Sequence, residues 1–159
     1  MGNMIILYYG GTIAMDAAVR GIADASSLSG KKVLYTDFSN ARKYHAFTVI
    51  DNPKLRVFQP PHPTGQNYAE MTDEKRRFVL MDNTDYFEAA TNKAAFGGFD
   101  LLIFDYLSDA TAFGVLYEGI LLDWLNSRPE HLNVLVTGNF ASAKMADLAD
   151  EIYNFTRVK

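Results

Sequence analysis

Met4-Ile5-Ile6-Leu7-Tyr8-Tyr9-Gly10-Gly11 is the stretch that decides the fold. Its apolar and aromatic run shows no alternation with polar residues, so a strand made from it must be buried on both faces. Strands of that kind sit inside parallel sheets, and the glycine pair marks a turn into the next element. From 12 to 27, small and apolar residues recur at helical spacing (Ile13, Ala17, Ala18, Gly21, Ile22, Ala25), and Ser29-Gly30 ends the helix. Val33 to Asp37 then reads as a second strand. Strand, glycine turn, helix, glycine turn, strand is a βαβ unit, whose crossover is right-handed in nearly all known cases.

The rest of the chain repeats this alternation. A short strand is expected at 55–59, followed by a loop at 60–65 that holds Pro60, Pro61 and Pro63. Residues 70–95 lean towards helix, with a break expected near Asn83. Gly97-Gly98 leads into Phe99-Asp100-Leu101-Leu102-Ile103-Phe104-Asp105, the clearest buried strand in the sequence. A helix over 112–127 closes at Arg128-Pro129, a strand covers 133–137, Ser142 caps a helix running to 149, and a last strand covers 152–156. The expected fold is therefore α/β, one domain over residues 1–159 with a mainly parallel sheet between layers of helices.

Composition narrows the chemistry. The 159 residues carry 15 Lys plus Arg against 19 Asp plus Glu, a net charge of −4, which argues against a general nucleic-acid binder. With no Cys, disulfides, thiolate metal sites and cysteine nucleophiles are excluded, and three scattered histidines (His45, His62, His131) offer no histidine-rich metal site. His131 is expected to pack as a structural residue before its strand. No apolar run approaches the ~18 residues of a membrane span, and the start lacks the basic region of a signal peptide. A cytoplasmic domain with no membrane partner is the expectation.

In an open α/β sheet, ligands bind beyond the carboxyl ends of the strands. Those ends carry Gly10-Gly11-Thr12, Asp37, Asp105 and Thr137-Gly138-Asn139. A glycine turn opening a helix can hold an anion on free N–H groups, or can serve only as a tight βα turn. Asp105, ending an apolar strand, is placed either to hold Mg²⁺ or simply to finish its strand. Together these features suggest a P-loop NTPase-like three-layer architecture. The full loop pattern needs Gly-Lys-Ser/Thr, with the lysine on phosphate and the hydroxyl on Mg²⁺. Ala14-Met15-Asp16 stands there instead. Asp16 is expected as a helix cap or surface residue, with an Asp16/Asp105 cation site as the alternative. Tyr8, Tyr9 and Tyr35 are the aromatics placed to stack on a flat ligand.

The carboxyl-terminal third carries a more specific signal. Residues 99–105, Arg128-Pro129-Glu130-His131, Val134-Leu135-Val136-Thr137-Gly138, Ala146-Asp147-Leu148-Ala149-Asp150 and Arg157-Val158-Lys159 resemble the ATP:corrinoid adenosyltransferases in order and spacing. Tyr8-Tyr9-Gly10 through Lys32-Val33 aligns with that family's first strand, P-loop and helix, so the likeness spans about 90 residues. The resemblance implies adenosyl transfer from ATP to a cob(I) corrinoid, with Mg²⁺ as cofactor and a homodimer as the working form. Residue by residue it implies that Gly10 is the loop glycine and Asp105 the metal-side carboxylate. Thr137 and Gly138 match the turn after the fourth core strand.

The candidate nucleotide site is then Gly10, Gly11, Thr12, Asp16, Thr137 and Gly138, with Asp105 as candidate metal ligand and no catalytic residue nominated. Against the family pattern, Thr12 to Asp16 replace Gly-Lys-Gly-Lys-Thr. Tyr106 replaces a Glu, Ser108 an Asn, and Asn139 an Arg. These exchanges remove charge-assisted contacts of roughly 1.5–3 kcal/mol each. Two function classes follow: an adenosyltransferase whose activity is impaired or lost, or a non-catalytic binding or interaction domain on the same frame.

Overall fold

Successive side chains of a strand point to opposite faces of its sheet, and the core of this protein divides on that rule. Leu34, Leu102, Phe104, Val134 and Val136 join Ile5 and Leu7 in one apolar cluster. Their neighbours Val33, Leu101, Ile103 and Leu135 join Tyr35 in a second. The computed structural model, which describes residues 3–40, 52–61 and 65–157, places a six-stranded sheet between these clusters.

The strands are β1 (Ile5–Tyr9), β2 (Val33–Asp37), β3 (Leu55–Phe58), β4 (Leu101–Asp105), β5 (Asn133–Gly138) and β6 (Glu151–Asn154). Their order is β3-β2-β4-β5-β1-β6 and every pairing is parallel. The four continuous apolar runs are the four inner strands. The two weaker ones lie at the edges, where burial on both faces is not required.

The helices are α1 (Ile13–Leu28), α2 (Asp73–Phe96), α3 (Leu107–Ala112), α4 (Glu118–Ser127) and α5 (Ala143–Leu148). Among the described residues, helix α1 alone packs on the second cluster, through Val19 and Ala23. The other four supply Ala90, Leu107, Leu121 and Met145, among others, to the first. The chain runs one way along the sheet from β1 to β2, then back through β4, β5 and β6. Right-handed crossovers in opposite directions place their helices on opposite faces, which yields the three layers. The fold is the expected α/β, P-loop-like arrangement.

Three sequence expectations need correction. The helix expected over 112–127 is α4 alone and starts only at Glu118, while α3 ends at Ala112. Gly114, at φ +71°, turns the chain between them, and Val115 and Leu116 drop into the core. Helix α2 runs unbroken through Asn83, because that buried side chain donates to the Val115 carbonyl at 2.9 Å and so anchors the helix. His131 is exposed rather than packed. His45, His62 and most of the segment after Asn40 lie outside the described residues.

Candidate functional site at the carboxyl edge of the sheet

Strand β1 and helix α1 are joined by Gly10, Gly11 and Thr12 alone. Gly10 (φ +125°) donates its N–H to the Gly138 carbonyl at 3.0 Å, and a Cβ there would lie 2.6 Å from the Thr156 nitrogen. Only glycine fits such an approach of backbone to backbone. Thr12 caps the helix. Its hydroxyl accepts from the Met15 N–H at 3.3 Å and donates to the Phe155 carbonyl at 2.9 Å. The cap expected of Asp16 thus belongs to Thr12. Helix begins at Ile13, so residues 13–16 are the first turn of α1 and form no loop around an anion. Met15 is 0% exposed.

Asp105, also 0% exposed, sits at the end of β4 in a buried hydrogen-bond chain. Its Oδ1 accepts from the Thr137 hydroxyl and its Oδ2 from the Tyr35 hydroxyl, each at 2.5 Å. Thr137 Oγ1 accepts in turn from the Tyr106 N–H at 2.9 Å, and the Tyr106 hydroxyl donates to Asp16 Oδ1 at 2.7 Å. Tyr106 is held at both ends, in keeping with its left-handed backbone (φ +59°), a conformation uncommon outside glycine. Burial, then the Asp105 and Asp37 charges, push the Tyr35 hydroxyl well above its ordinary pKa. Burial and the bond to Asp16 do the same for Tyr106. Both phenols therefore stay protonated and act as donors.

A magnesium ion needs near-octahedral oxygen ligands and room for its waters. Here the two Asp105 oxygens already accept from Thr137 and Tyr35, and Asp16 is tied to Tyr106. Among the described residues no cluster of three or more His, Cys, Asp or Glu could hold a metal. The residues present do not fit the ion.

The crevice of this sheet lies between β1 and β5, whose following helices depart on opposite faces. Asn139 closes it. Its N–H and its side-chain amide donate to the two Asp109 carboxylate oxygens at 2.7 and 2.6 Å. So held, Asn139 Oδ1 lies 1.6 Å from where a Cβ on Gly11 (φ +63°) would be. Gly138 is pressed in the same way: a Cβ there would meet Ser108 Oγ at 1.8 Å, and that hydroxyl donates to the Thr137 carbonyl.

The family model for ATP:corrinoid adenosyltransferase BtuR/CobO/CobP matches residues 2–159. The chain belongs to this family. No curated protein matches it. For this adenosyltransferase-family chain, the structure brings every nominated residue to one edge of the sheet: Gly10, Gly11 and Thr12 from the first turn, Asp16 from α1, Asp105 from β4, and Thr137 and Gly138 from β5.

Of the aromatics expected to face a flat ligand, Tyr35 is buried on Asp105. Tyr8 packs against Tyr153 and Phe155, with ring centroids 5.5 and 5.0 Å away. Among cations that could replace the missing charge, Lys31 precedes β2 at the opposite edge, Lys144 is exposed on α5, and Arg42 lies outside the described residues. Sequence reasoning missed Asp109, and noted Ser108 only as a departure from the family pattern. Both sit on α3, a helix whose cap, Tyr106, makes no side-chain capping bond and so leaves no capping signal in the sequence.

Proposed function

We propose that this adenosyltransferase-family domain has impaired or lost adenosyl transfer from ATP to a cob(I) corrinoid, and that it acts as a binding domain on that frame. The observation that carries the proposal is Met15. At the position of the phosphate lysine it is fully buried, in the first turn of a helix that already begins at Ile13. Restoring the charge would therefore not restore the cradle.

In the family reaction, ATP supplies the adenosyl group, a cob(I) corrinoid supplies the nucleophile, and triphosphate leaves. What a protein contributes is position and stabilisation of the leaving charge. In this chain the carboxyl edge offers Asp16, Asp105 and Asp109, and hydroxyls already spent on them. Asn139 stands on the glycine turn that would receive a phosphate. Loss of one preorganised electrostatic donor costs about 10²–10³ in rate, and several are replaced together here. The same geometry speaks against Mg²⁺ and against tight ATP binding. By family resemblance the working form is a homodimer and the ligand class a corrinoid. The absence among the described residues of any helix long and apolar enough to cross a membrane is compatible with a cytoplasmic location. The acidic net charge favours no nucleic-acid partner.

The test is direct. Cobalamin is reduced anaerobically, Mg-ATP and the protein are added, and the visible spectrum is followed for a light-sensitive adenosyl product. The expected result is no product above the protein-free rate, with no low-micromolar Mg-ATP binding by calorimetry. Robust turnover would overturn the proposal. A corrinoid retained through dialysis without turnover would identify the ligand of the binding domain.

A further inference from the structure

A cavity of about 560 Å³ lies away from the carboxyl edge, beneath the last turn of α2 and beside β3. That volume falls within the range of small-molecule sites, about 300–1,000 Å³. Leu34 and Phe99, both buried, form its floor, and the Phe58 ring forms a side. Phe96 stands at the rim. It is 90% exposed, the most exposed of the large apolar side chains among the described residues, at the end of a helix whose other aromatics (Tyr86, Phe87) are buried apart from Phe78. Val57, 42% exposed, borders the same space.

The charged residues lining this cavity are Lys32, Arg56 and Lys93, with no carboxylate among the described residues that line it. In a chain of net charge −4 this is a local reversal of sign. Part of it is structural. Lys32 donates to the Gly97 carbonyl at 2.5 Å and lies 4.5 Å from the centre of the Phe99 ring, so it caps the end of α2. Lys93 lies 5.3 Å over the Phe58 ring, a cation held on an aromatic wall. Arg56 is exposed on the edge strand. Capping explains Lys32, and the helix end favours Lys93. Neither accounts for Arg56, or for a phenyl ring left in water beside an apolar floor.

We infer that this cavity binds a small aromatic organic anion, its ring system between Phe58 and Phe96 and its acidic group on Arg56 and Lys93. Rings and cations alternate around one space, so a ligand with both characters gains apolar burial and charge-assisted contacts together. A neutral ring would forgo the second gain. A bare anion such as phosphate would forgo the first. The inference is independent of whether the carboxyl edge is active, because no residue is shared between the two places.

The probe is anilinonaphthalene sulfonate, with neutral phenylnaphthylamine as its uncharged counterpart. Fluorescence titration is expected to show one site per chain, with the sulfonate bound at least about tenfold more tightly than the amine. Arg56→Glu with Lys93→Glu should weaken the sulfonate about tenfold or more and leave the amine nearly unchanged. Phe96→Ala should weaken both. These side chains are exposed, and a cooperative urea transition confirms that each variant is folded. Amide chemical shifts should move at Val57, Phe58 and Phe96. Equal affinity for the two probes, indifference to the double charge reversal, or shifts centred on Tyr106 and Asn139 instead would overturn the inference, as would several weak sites or no binding.

Discussion

The carboxyl edge of the sheet and the cavity under α2 are opposites in construction. At the first, hydroxyls and amides are spent on carboxylates, glycines are pressed against neighbouring chain, and the space that remains, about 260 Å³ between Tyr68, Tyr106, Asp109 and Asn139, has no cation among the described residues that line it. At the second, cations line apolar walls around an open volume. An α/β topology nominates the first as the binding place, since strand ends and helix starts converge there. In this chain many of the polar groups that converge there bond to one another, and the larger, cation-lined space lies where topology alone gives no reason to look. Position in a fold therefore says where a site can be built, and the side chains say whether one has been.

The largest expected effect comes from rebuilding the family residues at the carboxyl edge. Met15→Lys with Asp16→Thr would place an ammonium group at a fully buried position and remove the Tyr106 acceptor. The cost should be on the order of 3–5 kcal/mol in urea unfolding, with no gain in Mg-ATP affinity. A stable double variant that binds Mg-ATP would mean that the turn can reopen, and the contrast between the two regions would fail.

Next in size is Tyr35→Phe, which deletes the hydroxyl donated to Asp105 Oδ2. A loss of up to about 3 kcal/mol at neutral pH is expected, because a buried charged acceptor loses a donor. The same tyrosine makes a pH prediction. Its pKa in the folded protein is raised above the ordinary value of 10.0, as are those of Tyr68 and Tyr106. Folding then favours the protonated phenols. The stability they contribute is complete below pH 10 and declines as pH rises beyond it. Urea midpoints taken between about pH 8 and pH 11 should fall at the alkaline end, and less steeply in Tyr35→Phe.

A smaller effect tests the closure itself. Gly11→Ala forces an alanine to a φ of +63° and drives its Cβ into Asn139, costing about 1–2 kcal/mol from the backbone alone. Adding Asn139→Ala should remove the collision and leave only the backbone part. If the double variant is no more stable than the single one, Asn139 does not hold the crevice shut.

What the sequence disclosed follows the same division. Continuous apolar runs identified the four inner strands, because burial on both faces leaves an unmistakable pattern. Ser142 disclosed its helix start by its capping hydroxyl. The α3–α4 break was hidden, since Val115 and Leu116 continue an apolar run and only the φ of Gly114 reveals the turn. Asn83 misled for a related reason: its polarity suggested a break, whereas its partner, the Val115 carbonyl, lies 32 residues away in sequence. At the carboxyl edge the residue types were visible and their pairings were not. Asp105 meeting Tyr35 and Asp109 meeting Asn139 depend on strand order. Lys32, Arg56 and Lys93 are likewise brought together only by the fold.

The position of β1 also matters during synthesis. Its two partners, β5 and β6, follow all the other strands among the described residues. At about 5–20 residues per second, the roughly 120 residues between them delay pairing by about 6–25 s after β1 is made. For that interval Ile5-Ile6-Leu7-Tyr8-Tyr9 has no strand beside it, and an unpaired apolar segment of that kind is a template for aggregation. Strand β1 is thus made well before the strands that shield it, and a chain arrested before β5 would carry the segment permanently exposed. Holdase chaperones should engage such arrested chains through their amino terminus.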